Sequence, residues 1–238
     1  MLSQVTEMNK ELLLYRGGLL KGASYIENKL KNMKNYNTLA TKEVIDETIK
    51  NLATNNVEGI FIETGKEALE KIKQLIPAGA SVMNGASVTL EQIGFVDHLK
   101  EENHGWDNLH KGILDEKDSE KQTLLRKHAV LADYYLGSVH ALSQTGEFIV
   151  ASNSGSQLPH VVFTSPNIIF VVGAQKLVAN LEEAMKRLNE YVIPLEDNHM
   201  MEKYKVHTYP SKVLIFKRES PFSQRKIKMI IVNESLGF

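Results

Sequence analysis

Strand-like and helix-like patterns of apolar residues alternate along the chain from about residue 57 onward. Short, nearly continuous apolar runs predict strands, and apolar residues at intervals of three and four predict helices. Alternation of this kind predicts an α/β fold: a three-layer, mostly parallel sheet with helices on both faces. The predicted strands are 57–63, 80–83, 134–142, 147–151 and 168–172, and the predicted helices are 66–75, 88–99, 115–131 and 177–191.

Two further apolar segments, 213–217 and 226–232, predict strands near the end of the sequence. The Ser220-Pro221 pair between them is typical of a turn, so we expect an antiparallel hairpin at an edge of the sheet. The charged segment 115–131 is expected to pack inward through one stripe of side chains. These are Leu124, Leu125, His128 and Leu131.

Residues 1–52 also carry apolar residues at helical spacing, for example Val44, Ile45 and Ile49. They contain too few apolar residues to close a second core. We therefore expect an N-terminal helical arm over residues 1–52 and a single α/β domain over residues 53–238.

Composition and short motifs exclude several classes of function. The net charge of −1 gives no electrostatic argument for binding nucleic acid. Cysteine is absent, which excludes disulfides and cysteine-held metal clusters within this chain and fits a cytoplasmic protein. No apolar run approaches a membrane span, and the start lacks the features of a signal peptide. The spacing of His98, His104 and His110 does not match a helical metal site, and no nucleotide-binding glycine motif is found, so we expect no metal and no cofactor.

Two bends of small polar residues follow predicted strands. The bend 84–87 reads Asn-Gly-Ala-Ser, and the bend 152–157 reads Ser-Asn-Ser-Gly-Ser-Gln. Ligands of parallel sheets bind at the carboxyl ends of strands, where free backbone N–H groups attract anions. We predict an anion site there, while a plain helix cap and a surface turn stay open as alternatives. The candidate ligand-binding residues are Asn84, Gly85, Ser87, Ser152, Asn153, Ser154, Gly155 and Gln157.

Several long segments, taken in order, resemble the LUD-domain family of lactate-utilisation proteins, in particular its LutC/YkgG-like members. The segments are PAGASVMNGASVTLEQIGF (77–95), ADYYLGSVHALSQTGEFIVASNSGSQLP (132–159), IIFVVGAQKLVANLEEAMKRL (168–188), VIPLED (192–197) and IIVNESLGF (230–238). The resemblance implies a fold similar to the NagB/RpiA/CoA-transferase group, whose members bind sugar phosphates, acyl-CoA or folate at strand-end loops. It also implies a link to lactate oxidation, in which some members work beside iron–sulfur subunits.

The chain departs from many of these relatives in two respects. It has none of the cysteine clusters that some members carry after their LUD domain. Residues 154–157 read SGSQ, where many relatives have a G-N-G-R-like stretch. The chain therefore lacks, at this bend, an arginine that could bind a carboxylate or phosphate through its guanidinium group.

Two residues are candidates for catalysis. Glu147 invites comparison with the CoA transferases of this broad fold, which use a glutamate as acyl acceptor, but a solvated turn glutamate is the simpler interpretation. His140 shares a strand face with Ser138 and could act as an acid or base, but a lone strand histidine is more often held in the core. Lys176, which follows the apolar strand 168–172, could bind an anion, but a solvated lysine is the default interpretation.

These observations favour an accessory or metabolite-binding component linked to lactate utilisation, which binds a small anionic ligand. The alternative is an enzyme of the sugar-phosphate isomerase or acyl/CoA-transfer type that acts on an anionic substrate. The expected partners are a small anionic metabolite and iron–sulfur lactate-oxidation subunits, with no nucleic acid and no membrane. We also expect a homodimer, since many relatives of this fold self-associate.

Overall fold

The computed structural model describes residues 35–101 and 103–238, so most of the expected N-terminal arm, residues 1–34, lies outside the described residues. The described strands are β1 (Glu58–Ile62), β2 (Ser81–Asn84), β3 (Asp107–Asn108), β4 (Tyr134–Gly137), β5 (Ala141–Ser143), β6 (Phe148–Ser152), β7 (Asn167–Gly173), β8 (Leu177–Val178), β9 (Lys212–Phe216) and β10 (Lys226–Val232). The described α-helices are α1 (Lys42–Thr54), α2 (Gly65–Leu75), α3 (Val88–Gln92), α4 (Phe95–His98), α5 (Leu109–Asp115), α6 (Ser119–His128), α7 (Leu181–Arg187) and α8 (Ile193–Tyr204).

A six-stranded sheet forms the centre of the domain. Its strand order is β1-β10-β7-β4-β2-β3, and every described pairing in it is parallel. Strand β7 shows why the sheet must be covered on both sides. Its residues alternate between two apolar cores, with Phe170 in one and Val171 in the other. Helix α1 packs into the first core and helices α2 and α3 into the second, so the predicted mostly parallel α/β sheet with helices on both faces is confirmed.

A second sheet covers part of the same face as α1, and the sequence did not predict it. Its strand order is β8-β5-β6-β9, with β6 antiparallel to both β5 and β9. Strand β6 alternates in the same way as β7. Phe148 and Val150 face the central sheet, whereas Ile149 and Ala151 pack against α7. This second sheet places the bend after β6 opposite the end of β2.

The predicted hairpin of 213–217 and 226–232 is wrong. Strand β9 pairs with β6 in the second sheet, and β10 lies inside the central sheet between β1 and β7, parallel to both. The reason is the burial of 229–232. Met229 and Ile231 enter one core, and Ile230 and Val232 enter the other. A strand that is apolar on both faces gains most in an interior position of a covered sheet.

The single predicted strand 134–142 is also wrong. Strand β4 ends at Gly137 in the central sheet, and the chain then crosses to the second sheet as β5, which begins at Ala141. Both strands are apolar, so their periodicity gives no sign of the change of sheet. The three crossover residues, 138–140, bring Ser138 and His140 to the region between the sheets.

Three predicted helices differ from the structure. Helix 88–99 is divided at Gly94, whose backbone has φ of +80°, and helix 177–191 starts only after Asn180, because 177–178 form β8. The inward stripe on 115–131 is wrong, because α6 has no buried residue and Leu124, Leu125 and Leu131 are 55%, 40% and 69% exposed. Its His128 is exposed as well.

Helix α1 belongs to the core of the α/β domain, although the predicted boundary at residue 52 falls inside it. Thr41 caps its first turn, and Ile45 and Leu52 are buried among residues of β7 and β10. None of the helices in the described ranges combines the length and the apolar character that crossing a membrane requires.

Candidate functional site

A cavity of about 510 Å³ opens between the two sheets at the carboxyl end of β2. Most of its wall comes from five parts of the chain. These are the bend and first turn at 85–89, the crossover 138–140, the bend after β6, Lys176, and residues between 188 and 200 around the start of α8. The segment 208–210 and the final residues 237–238 complete the wall. The two polar bends predicted to form one site thus share a single cavity.

Six of the eight candidate ligand-binding residues line this cavity, and two do not. Asn84 is buried beside it, where its side-chain oxygen contacts His110 Nδ1 at 3.1 Å. Gly155 has φ of +85° and packs against the aliphatic part of Lys212. The six residues that line the cavity are Gly85, Ser87, Ser152, Asn153, Ser154 and Gln157.

Tyr135 and Gln157 join the two bends. The Tyr135 hydroxyl donates to Gln157 Oε1 over 3.2 Å, and Gln157 Nε2 donates to the Ala151 carbonyl over 3.0 Å. Gly85, in the first bend, lies close to both of these side chains. A Cβ atom at this position would lie 2.5 Å from the Tyr135 hydroxyl and 3.1 Å from Gln157 Oε1. Burial raises the pKa of Tyr135, so its hydroxyl keeps the proton that it donates.

Within the bends, several polar groups bond to each other. Ser87 Oγ accepts from Leu90 N over 3.3 Å and so caps α3, which has five residues. Ser152 Oγ accepts from Gly155 N over 2.9 Å. These bonds are those of the cap and turn alternatives, and they fix the shape of the cavity wall.

Lys176 supplies the cavity with a cationic group whose burial the sequence did not reveal. Its interpretation as a solvated lysine is wrong, because it is 4% exposed. The amine Nζ donates to Thr89 Oγ1 over 3.0 Å and to Ser138 Oγ over 3.2 Å. Within the described residues it takes part in no ion pair with a carboxylate. Burial, with a further contribution from Arg187, lowers its pKa to about 7.

Arg187 adds positive charge behind the cavity. It is fully buried, and its Nη1 donates to the backbone oxygens of His140 and of Phe238, the last residue of the sequence. The guanidinium lies 5.8 Å and 5.2 Å from the ring centres of Tyr36 and Tyr191. Burial lowers its pKa to about 10, which leaves it charged at neutral pH.

His140 lines the cavity as a neutral imidazole. Burial, with contributions from Lys176 and Arg187, lowers its pKa to about 3. Its Nδ1 accepts from Ala151 N over 3.1 Å, so the ring proton of the neutral form lies on Nε2. His140 therefore offers a hydrogen-bond donor and does not act as a cation at neutral pH.

Glu196, on α8, is a carboxylate in the cavity wall, and its burial raises its pKa. The cavity thus has a cationic part at Lys176 and a carboxylate at α8.

Glu147 lies outside the cavity lining, so the structure does not bring the two catalytic candidates together. Its Oε2 accepts from Ser143 Oγ over 3.1 Å and from the Thr145 hydroxyl. Partial burial opposes ionisation, but these hydroxyl donors, a backbone hydrogen bond and the charge of Lys217 together outweigh it and hold the pKa of Glu147 below its usual range. Within the described ranges, no cluster of three or more histidine or acidic side chains is arranged to hold a metal ion.

Sequence reasoning missed Arg187 and Glu196 as components of this region, and it gave anion binding by Lys176 only as the weaker alternative. All three lie in segments that carry the family resemblance, 168–188 and 192–197. A buried charge has no signature in a single sequence, because burial depends on which strands and helices pack around it.

Comparisons with known proteins agree with this fold. The sequence model described as the LUD domain matches residues 45–232. A crystal structure of a DUF162 family protein from Deinococcus radiodurans superposes with a TM-score of 0.51 at 10% sequence identity. The alignment covers 82% of this chain and 100% of that one, and at this identity it shows a common fold alone. No curated protein is detectably similar to the chain.

Proposed function

Because this chain belongs to the LUD domain family, whose members are linked to lactate utilisation, we propose that it is an accessory, metabolite-binding protein whose cavity binds a small anionic ligand. The observation that carries the proposal is Lys176. A buried ammonium group without a carboxylate partner costs several kcal/mol, and a bound anion would offset that cost. Arg187, which stays charged at neutral pH, adds to the positive potential.

Hydrogen-bond donors suited to an anion surround the same space. Ser138 and Thr89 place hydroxyl groups next to Lys176 Nζ. His140 adds an imidazole Nε2–H that stays protonated over the whole neutral range. Charge-assisted hydrogen bonds from such groups are about twice as strong as neutral ones. A carboxylate or phosphate would therefore be bound by charge and by geometry at once.

The accessory role is supported by the place of Glu147. Covalent acyl transfer needs a carboxylate that faces the substrate, together with donors for the developing oxyanion. Glu147 lies outside the cavity lining and is already bonded to two hydroxyl groups. The acyl/CoA-transfer type of reaction thus has little support.

A melting-temperature screen tests the proposal. Lactate, sugar phosphates, folates and CoA esters are compared, since binding to the folded state alone raises its stability by mass action. We expect at least one of these anions to raise the melting temperature of the wild type and to have no effect on Lys176→Met. If none of them shifts the wild type, the proposed anion site is wrong.

Glu196 favours a second candidate function, an enzyme of the sugar-phosphate isomerase type. A partly buried carboxylate with a raised pKa is a common general base, and this one lines the cavity that holds Lys176. Under this alternative, turnover of a stabilising sugar phosphate is lost in Glu196→Gln while the melting shift remains. Absence of turnover with a bound sugar phosphate would leave the accessory role.

Association with iron–sulfur lactate-oxidation subunits, a homodimeric state and a cytoplasmic location stay predictions. Affinity purification of the native protein followed by mass spectrometry tests the first. Size-exclusion chromatography with light scattering tests the second, and cell fractionation tests the third.

A further inference from the structure

Lys176 is placed for covalent chemistry as well as for charge pairing. Its Nζ ends in a cavity large enough for a small metabolite, and two hydroxyl groups hold it at 3.0 and 3.2 Å. Gly237 keeps this space open, because a Cβ atom there would lie 2.4 Å from Thr89 Oγ1 and 3.0 Å from Lys176 Nζ. In these surroundings the lysine amine can act as a nucleophile, provided that it is uncharged in a substantial fraction of the molecules.

We propose that Lys176 captures the carbonyl group of a small anionic aldehyde or ketone as a reversible imine. This inference rests on the proposed anion-binding function of the cavity, and it specifies the ligand class as an oxo acid or a keto-sugar phosphate. It assigns Lys176 as the residue that touches the reacting carbon.

The surroundings of Lys176 favour the uncharged amine. Burial, with a further contribution from Arg187, lowers the pKa of Lys176 to about 7, so charged and neutral forms coexist at neutral pH. A lysine with an ordinary pKa is neutral in only about one molecule in three thousand at pH 7. Both forms have a use here, because the ammonium attracts the ligand's anionic group and the amine attacks its carbonyl.

The step balances without any further reactant. The Nζ lone pair attacks the carbonyl carbon, a C–N bond forms as the C=O π bond breaks, and one amine proton passes to the oxygen to give a neutral carbinolamine. The C–O bond then breaks and the hydroxyl leaves as water with the second amine proton, while the nitrogen lone pair forms the C=N bond. Ser138 Oγ, at 3.2 Å from Nζ, can pass these protons, and the His140 Nε2–H can donate a hydrogen bond to the developing oxyanion.

Reductive trapping tests the inference on the full-length protein. The protein is incubated separately with glyoxylate, pyruvate and dihydroxyacetone phosphate in the presence of sodium cyanoborohydride, which reduces an imine to a stable secondary amine. Peptide mapping by mass spectrometry then locates the adduct. We expect one adduct, on the peptide that contains Lys176, and the probe that reacts fastest distinguishes an oxo acid from a sugar phosphate. Acetone is the neutral probe, and we expect at least tenfold less labelling with it.

Two variants separate covalent capture from simple anion binding. Lys176→Arg keeps the positive charge but cannot form an imine, so it should lose the adduct. Lys50→Met is the matched control, because the Lys50 side chain is 74% exposed and does not line the cavity. It should label as the wild type does. Since the adduct is mapped in the wild type, the test stands even if a Lys176 variant folds poorly.

The outcomes distinguish this inference from the proposed function. Lactate has no carbonyl group that could form an imine, so its melting shift reports anion binding alone. If lactate or another screened anion stabilises the protein and no probe labels Lys176, covalent capture is overturned and the anion site stands. Labelling spread over exposed lysines, or equal labelling by acetone, would also overturn it. If no anion shifts the melting temperature and nothing labels Lys176, both proposals fail.

Discussion

Lys176 Nζ lies 3.0 Å from Thr89 Oγ1, although 87 residues separate them in the chain. Thr89 belongs to the first turn of α3, which follows strand β2 of the central sheet, and Lys176 follows strand β7 of the same sheet. The contact holds a buried amine at the wall of the cavity. It is the structural reason for proposing that the cavity binds an anion.

Gly85→Ala should disturb the joint between the two polar bends. The new Cβ would lie 2.5 Å from the Tyr135 hydroxyl, so that the Tyr135–Gln157 hydrogen bond must shift or break. We expect the free energy of unfolding to fall by about 1–3 kcal/mol, as for other overpacked sites, and the anion-induced melting shift to decrease. Urea denaturation measures the first effect.

The matched control is Gly112→Ala. Gly112 lies inside α5, and nothing lies within 4 Å of a Cβ placed there. Alanine is about 1 kcal/mol more favourable than glycine within a helix, so this variant should be as stable as the wild type or more stable. Equal effects of the two substitutions would contradict the assigned role of Gly85.

Lys176→Met should change how stability depends on pH. The pKa of Lys176 is about 7 in the folded protein and 10.5 ordinarily, so between these values the unfolded state binds the extra proton. The free energy of unfolding of the wild type, relative to Lys176→Met, should therefore rise from pH 7 to pH 10, with a slope of up to about 1.4 kcal/mol per pH unit. Arg187 and His140 are the charged and titratable groups that act on Lys176 or sense it. Parallel curves for the two proteins would show that Lys176 titrates normally.

His140 should contribute to acid unfolding. Its pKa is 6.5 ordinarily and about 3 in the folded protein, because burial and the charges of Lys176 and Arg187 oppose protonation. Below pH 6.5 the unfolded state binds a proton that the folded state does not, so stability should fall from pH 6.5 towards pH 3. His140→Asn should show a shallower decline in urea denaturation, and His128→Asn, on the exposed helix α6, is the control. A decline of the same slope in both variants would contradict a buried neutral His140.

Leu124→Ala should test the correction to helix α6. Leu124 is 55% exposed, so its truncation should change the free energy of unfolding by no more than about 0.5 kcal/mol. Leu90→Ala is the matched comparison, because Leu90 is fully buried and such truncations cost about 2–5 kcal/mol. A comparable loss in Leu124→Ala would restore the inward stripe that the sequence predicted.

Most strands of the central sheet could be predicted because they are compact apolar runs. Strands β1, β2 and β7 lie within one residue of their predicted bounds. The second sheet could not be predicted, because β4 and β5 are equally apolar and no periodicity marks the crossover at 138–140. The place of β10 depends on a pairing between residues far apart in sequence, which the turn at Ser220-Pro221 obscured.

The polar bends of the candidate site could be predicted from the sequence, but its buried charged side chains could not. Small polar residues at strand ends identified Gly85 and Gln157, which the structure brings together through Tyr135. For Lys176 the sequence favoured a solvated side chain over an anion-binding one. An isolated lysine after a strand is usually solvated, and only the packing of Thr89, Ser138 and Gly237 around it buries the amine.

The most direct test of the anion site is an NMR titration of the Lys176 side chain, with its resonance assigned by comparison with Lys176→Arg. In the protein without added anion we expect a pKa near 7. In saturating amounts of any screened anion that shifts the melting temperature, we expect that pKa to rise, because a negative charge beside the ammonium favours its protonated form. An ordinary lysine pKa in the free protein, or a pKa that none of these anions moves, would contradict the account.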